Sequence, residues 1–172
     1  MNKDFYILDD GYDDIVSPEI SEELRKFKYR EYTGGEIEKI RICTAQSKYR
    51  RSRLGEVVKQ TLTIRRDGRI ALTTFEAVGA KYRPLDSRNY DFPAEVTGKV
   101  IVLIREFFEA GQGAEYLRDE GEWNMRITDT SCGQYNESGT FGNEEEIATL
   151  SRKIRTILDM DLFLFDGKTD RG

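Results

Sequence analysis

Between Thr61 and Phe75 the chain reads TLTIRRDGRIALTTF, and the spacing of its apolar residues fixes how it can fold back on itself. Val58, Leu62 and Ile64 fall on one face of a strand, and Ile70, Leu72 and Thr74 fall on one face of the next. A two-residue Asp67-Gly68 loop would pair Ile64 with Ala71 and turn Ile70 to the wrong side. A three-residue loop, Arg66-Asp67-Gly68, pairs Ile64 with Ile70 and Leu62 with Leu72. It also sets Gly68 at the left-handed position that closes such a loop with a bulge, so this is the predicted form.

A second hairpin is predicted from EWNMRITDTSCGQYNESGTF. Trp123, Met125 and Ile127 alternate along its first strand, and an odd-numbered loop near Ser131 to Gly133 returns Tyr135 and Phe141 to the same face. Asn136, Ser138 and Gly139 make the return strand weak, which suits an edge.

A helix is expected after each hairpin. Pro93 suits the opening turn of the first, whose stripe is Val96, Val100, Leu103, Ile104 and Phe107, and Gly111 stops it. In the second, Asn143 and Glu146 form a capping pattern ahead of Ile147, Leu150, Ile154, Ile157 and Leu158. Leu162-Phe163-Leu164-Phe165 reads as a final buried strand. Before the first hairpin, Ser17-Pro18-Glu19 opens a short helix through Leu24, KFKYREY reads as a strand with Phe27 and Tyr29 on one face, and Ile40 and Ile42 mark another short strand ending near Thr44. Gln46 to Gly55 and the stretch holding Lys81, Arg83 and Arg88 read as loops.

The expected class is α+β, an antiparallel sheet of two hairpins plus extra strands with two main helices packed on it. One domain spans residues 1–172: an acidic N-terminal segment 1–16, a hairpin and helix in 56–111, a hairpin, helix and strand in 121–166, and a loose tail 167–172. The two ββα stretches can be laid side by side as a degenerate duplication.

The 172 residues contain no histidine, which removes imidazole-based catalysis, the commonest metal ligand and the usual pH switch. Cys43 and Cys132 lie far apart and suggest neither a zinc site nor a disulfide framework, so no cofactor is expected. No apolar run reaches the roughly 18 residues of a membrane-spanning helix, and the acidic N-terminus does not read as a signal peptide; a cytoplasmic protein with no membrane partner is the expectation.

Three clusters remain as candidates for chemistry. Asp9, Asp10, Asp13 and Asp14 resemble a calcium loop only superficially, because the twelfth residue from Asp9 is Ile20 where a glutamate is required. Cys132 lacks a histidine base, and Glu115, Asp119, Glu120 and Glu122 read as a polar linker edge rather than a carboxylate pair. The third cluster is basic. Net charge is −5 over the chain but +8 over residues 41–90, where Lys48, Arg50, Arg51 and Arg53 surround Tyr49, Arg65, Arg66 and Arg69 gather at the hairpin tip, and Lys81, Tyr82, Arg83 and Arg88 follow.

If the loop and the tip lie together, Tyr49, Arg50, Arg51, Arg53, Arg65, Arg66, Arg69 and Tyr82 form a surface for a partner or for phosphate. An acidic chain without a nucleic-acid-binding signature favours a protein partner over nucleic acid. The expectation is therefore a small non-enzymatic interaction or regulatory protein, with Tyr29, Tyr32, Tyr49 and Tyr82 suited to contact. The alternatives are an accessory nucleic-acid-binding module on the basic loop and tip, and an enzyme of carboxylate chemistry.

Overall fold

A computed structural model describes residues 30–31, 34–48, 50–111, 117, 120–142 and 144–169. The acidic cluster at 9–14, the expected helix at 17–24, Phe27, Tyr29, Tyr32, Tyr49, Glu115, Asp119 and Asn143 lie outside the described residues.

Among the described residues the strands are β1 (Arg30–Glu31), β2 (Ile37–Ala45), β3 (Lys59–Arg65), β4 (Arg69–Val78), β5 (Lys81–Asp91), β6 (Glu122–Asp129) and β7 (Gly133–Thr140); the helices are α1 (Ala94–Glu109) and α2 (Glu145–Leu158). They form one sheet in the order β1-β7-β6-β2-β3-β4-β5. The six longer strands are antiparallel, and two-residue β1 pairs with β7 in parallel. This is the expected α+β architecture. Among the described residues, no helix is long and apolar enough to cross a membrane.

The first hairpin adopts the predicted register, with Ile64 opposite Ile70 and Leu62 opposite Leu72, and Gly68 takes φ 103°. The second hairpin pairs Ile127 with Tyr135 and Thr128 with Gln134, and Cys132 takes the equivalent positive φ, 65°. Asp129 stabilises that turn by accepting from the Ser131 and Gly133 amides at 2.8 and 2.7 Å. Strand β2 is longer than expected and central: Ile40 and Ile42 face Ile64 and Leu62 on one side and Ile127 and Met125 on the other. These residues, with Trp123, build a buried sheet face covered by Val100, Ile101 and Ile104 of α1 and Ile147, Leu150, Ile154 and Leu158 of α2.

Two expectations are corrected. Lys81 to Asp91 is a strand, not a loop, and nearly every residue in it is exposed. An edge strand solvated on both faces carries no apolar alternation, and Pro84 and the charged residues along it suit an edge protected from further pairing. Leu162 to Phe165 is buried but is not a strand. It runs through turns, with Leu164 at φ 47°, because its backbone polar groups find partners off the sheet ladder. Gln60 of β3 accepts from the Phe163 amide at 2.8 Å and donates to the Asp161 carbonyl at 3.0 Å. Ser151 of α2 accepts from the Phe165 amide, and Arg155 Nε donates to the Leu162 carbonyl at 2.7 Å.

Arg155 is 0% exposed and forms a buried ion pair with Asp166. Burial pushes the Asp166 carboxyl above its ordinary value, and Arg155 opposes that push. The pair holds residues 160–167 as a plug at one end of the core, where Phe165 packs edge-on against Trp123 at 4.9 Å and Phe108 at 5.4 Å.

Removing one member strands the other charge, so Asp166→Ala should cost about 3–5 kcal/mol in urea unfolding, while Arg155→Met/Asp166→Leu should cost less than the sum of its single changes. A single-variant cost below about 1 kcal/mol would contradict the role given to the pair. On β7, burial and a hydrogen bond to Glu137 push the Tyr135 phenol up to about 12. Its contribution to stability is present below the ordinary tyrosine value near 10 and is lost as pH rises through about 12. Ultraviolet titration should show one phenol ionising near 12 that Tyr135→Phe removes.

Candidate functional site: the open face of the sheet

Alternation sends one set of side chains from each strand to the face opposite the helices. The strand registers place those side chains in rows across the sheet. One row runs Gln134, Thr128, Lys39, Arg65. The next runs Asn136, Arg126, Arg41, Thr63, Ala71, Asn89. A row of small polar groups follows, Ser138, Asn124, Cys43, Thr61, Thr73, Ser87, and then Thr140, Glu122, Ala45, Lys59, Phe75, Pro84.

Lys39 thus stands directly opposite Arg65, and Arg41 directly opposite Arg126. Directly opposed side chains have Cβ atoms about 4.5–5.5 Å apart, and like charges at that position destabilise a sheet. Arg126 donates from Nε to Asn136 Oδ1 at 3.1 Å. Four cations from β2, β3 and β6 therefore share one corner of the open face.

At the other end of this face lies a groove of about 1220 Å³, between the loop after β2, the β4–β5 turn and the start of β6. Lys48, Arg50, Lys59, Lys81 and Tyr82 line it, with Glu120 and Glu122 also in its wall. The loop is anchored by Glu76, which is buried, accepts from the Gly55 amide at 3.1 Å and pairs with Arg83. Gln46 donates to the Gly167 carbonyl at 3.0 Å and so ties the same loop to the plug.

The basic residues expected to act together are divided. Arg50, Arg51 and Arg53 belong to the loop at the groove end, whereas Arg65, Arg66 and Arg69 lie at the opposite end of β3. Arg66 pairs with Glu36 and Glu38, Arg69 with Asp67, and Arg50 with Glu56 at 2.6 Å. The Glu56 carboxyl is held below its ordinary value by the Arg53 amide and by Arg50, and Asp67 is held low by Arg69. Arg65 stays on the open face, and Tyr82 on the groove wall.

The tip is built into the fold. The Phe92 amide donates to the Gly68 carbonyl at 2.9 Å, the Arg66 amide donates to the Glu38 carbonyl at 2.9 Å, and a Cβ at Gly68 would collide with the Phe92 carbonyl oxygen. Lys39, Arg41, Lys59 and Arg126 did not stand out in the sequence as site residues. Their signal lay in the polar half of the alternation, in EKIRIC, KQTLTIR and NMRIT. No family model matches the chain, and no curated protein matches it.

Gly68→Ala should cost about 1–3 kcal/mol, since it combines strain at positive φ with a backbone clash. Arg66→Gln and Arg69→Gln should each cost less than the glycine change, as exposed ion pairs do. Urea midpoints check the order, and arginine changes costlier than the glycine change would contradict this reading of the tip.

Proposed function

We propose that the chain is a small non-enzymatic interaction protein that presents the open face of its sheet to an acidic segment of a protein partner. The observation that carries this reading is the pair of like-charge contacts, Lys39 opposite Arg65 and Arg41 opposite Arg126, set side by side on that face. Such contacts work against the folded state. A carboxylate-bearing partner laid across them turns a repulsive cluster into several charge-assisted hydrogen bonds, for which arginine is the better-suited cation.

The Thr, Ser and Asn side chains beside the cluster present hydroxyls and amides rather than apolar bulk, which suits a partner that binds and leaves. A protein partner is preferred to nucleic acid because the chain carries −5 net charge and a sequence pI near 5.0. That field repels a long polyanion while leaving a short acidic segment free to seek the local cations.

Fluorescence anisotropy of a labelled oligoglutamate peptide, at low and physiological salt, tests the proposal. Wild type should bind with affinity that falls as salt rises, and Lys39→Thr/Arg41→Thr should weaken binding about tenfold or more. The same variant should be more stable than wild type by about 0.2–1 kcal/mol for each like-charge contact removed. Binding to single-stranded DNA or RNA in place of the peptide would overturn the protein partner in favour of nucleic acid, and unchanged peptide binding by the variant would overturn the surface.

A further inference from the structure

The groove at the far end of the open face is separated from the four-cation corner by the length of β3. Lys59 to Arg65 spans six residue steps, or about 20 Å. It has a character of its own, set by Lys59. That side chain is only 5% exposed, and its Nζ lies 5.2 Å from the centroid of the Phe75 ring and 5.0 Å from that of Tyr82. A lysine buried at the start of a strand gives up most of its hydration. Two aromatic faces return part of that loss through cation–π attraction and fix where the ammonium stands.

Lys48 reaches the same groove from the loop after β2, and Lys81 from the start of β5. Lysines from three separate segments of chain thus line one groove. Arg50 also lines it and pairs with Glu56. Several cations around one groove suit a compact, multiply charged anion, and phosphate is the common one.

The other chemistry in the groove is aromatic. Tyr82 retains 36% exposure and brings an aromatic ring to the groove, on which a planar guest can stack. Asn124 lines the same groove and offers an amide, able to donate and accept, to the edge of a heterocycle. The volume of about 1220 Å³ is ample for a nucleotide. Glu120 and Glu122, in the same wall, oppose a long polyphosphate tail and favour a single phosphate.

We infer that this groove is a binding site for a nucleoside monophosphate, with the phosphate among Lys48, Lys59 and Lys81 and the base on Tyr82. The inference does not depend on the acidic-partner reading.

Isothermal titration calorimetry with AMP, GMP, CMP and UMP, beside adenosine, inorganic phosphate and a pentanucleotide, tests it. At least one monophosphate should bind about tenfold or more tightly than either adenosine or phosphate alone. Lys81→Ala and Lys59→Met should each weaken it about tenfold, as expected for losing a charged contact. Lys81 is exposed, so its variant should fold even if Lys59→Met does not. Lys39→Thr/Arg41→Thr should bind the nucleotide as wild type does, which separates this test from that of the acidic-partner surface.

Absence of binding by all four monophosphates at millimolar concentration would overturn the site. So would equal binding by inorganic phosphate or by adenosine, or undiminished binding by Lys81→Ala. A pentanucleotide bound more than about tenfold tighter than any monophosphate would overturn the free nucleotide in favour of the end of a single strand.

Discussion

The architecture depends on one buried contact, Arg155 with Asp166. A guanidinium with no solvent exposure is tolerated because its Nε is taken by the Leu162 carbonyl and the guanidinium also pairs with the Asp166 carboxylate. These contacts draw residues 160–167 back over α2 and into the core, where they would otherwise leave carbonyls and amides buried without partners. Gln60 and Ser151 complete the fastening. Phe165 then supplies the surface on which Trp123 and Phe108 meet. The link runs onward through Gln46 and Gly167 to the loop that walls the groove.

The face opposite the helices carries mainly polar side chains, and Cys43, Lys59 and Thr128 on it are buried as well. Ten of the twenty-two side chains in its rows are threonine, serine or asparagine. The corner at Lys39, Arg41, Arg65 and Arg126 departs from that pattern. Opposed like charges in neighbouring strands conflict with local stability, and local conflicts of this kind tend to fall at functional sites. The hairpin tip, by contrast, has every mark of a structural corner: Gly68 pressed against Phe92, and arginines held by Glu36, Glu38 and Asp67.

Much of the fold was legible because apolar alternation carries register. Ile64 opposite Ile70 followed from spacing alone, as did both helices, since each buries a stripe that recurs at helical period. Strand β5 escaped because it buries neither face, leaving no period to read. The Leu162–Phe165 run was correctly apolar but wrongly extended, since hydrophobicity says nothing about whether Gln60, Ser151 and Arg155 will serve its backbone. The candidate site was least legible of all. Arg41 and Arg126 are distant in sequence and become neighbours only through the β2–β6 register. The basic run around Arg50 drew attention through local density, yet the fold parts it from Arg65 by the length of a strand.

The central claim, that the open face carries a repulsive cation cluster kept for a partner, is tested most directly by the salt dependence of unfolding without any partner. Urea unfolding free energies of wild type and of Lys39→Thr/Arg41→Thr are compared at low and at near-physiological sodium chloride. Screening weakens the repulsion in wild type, so wild type should gain stability relative to the variant as salt rises. A difference between the two proteins that does not change with salt, or a variant less stable than wild type at low salt, would contradict the account.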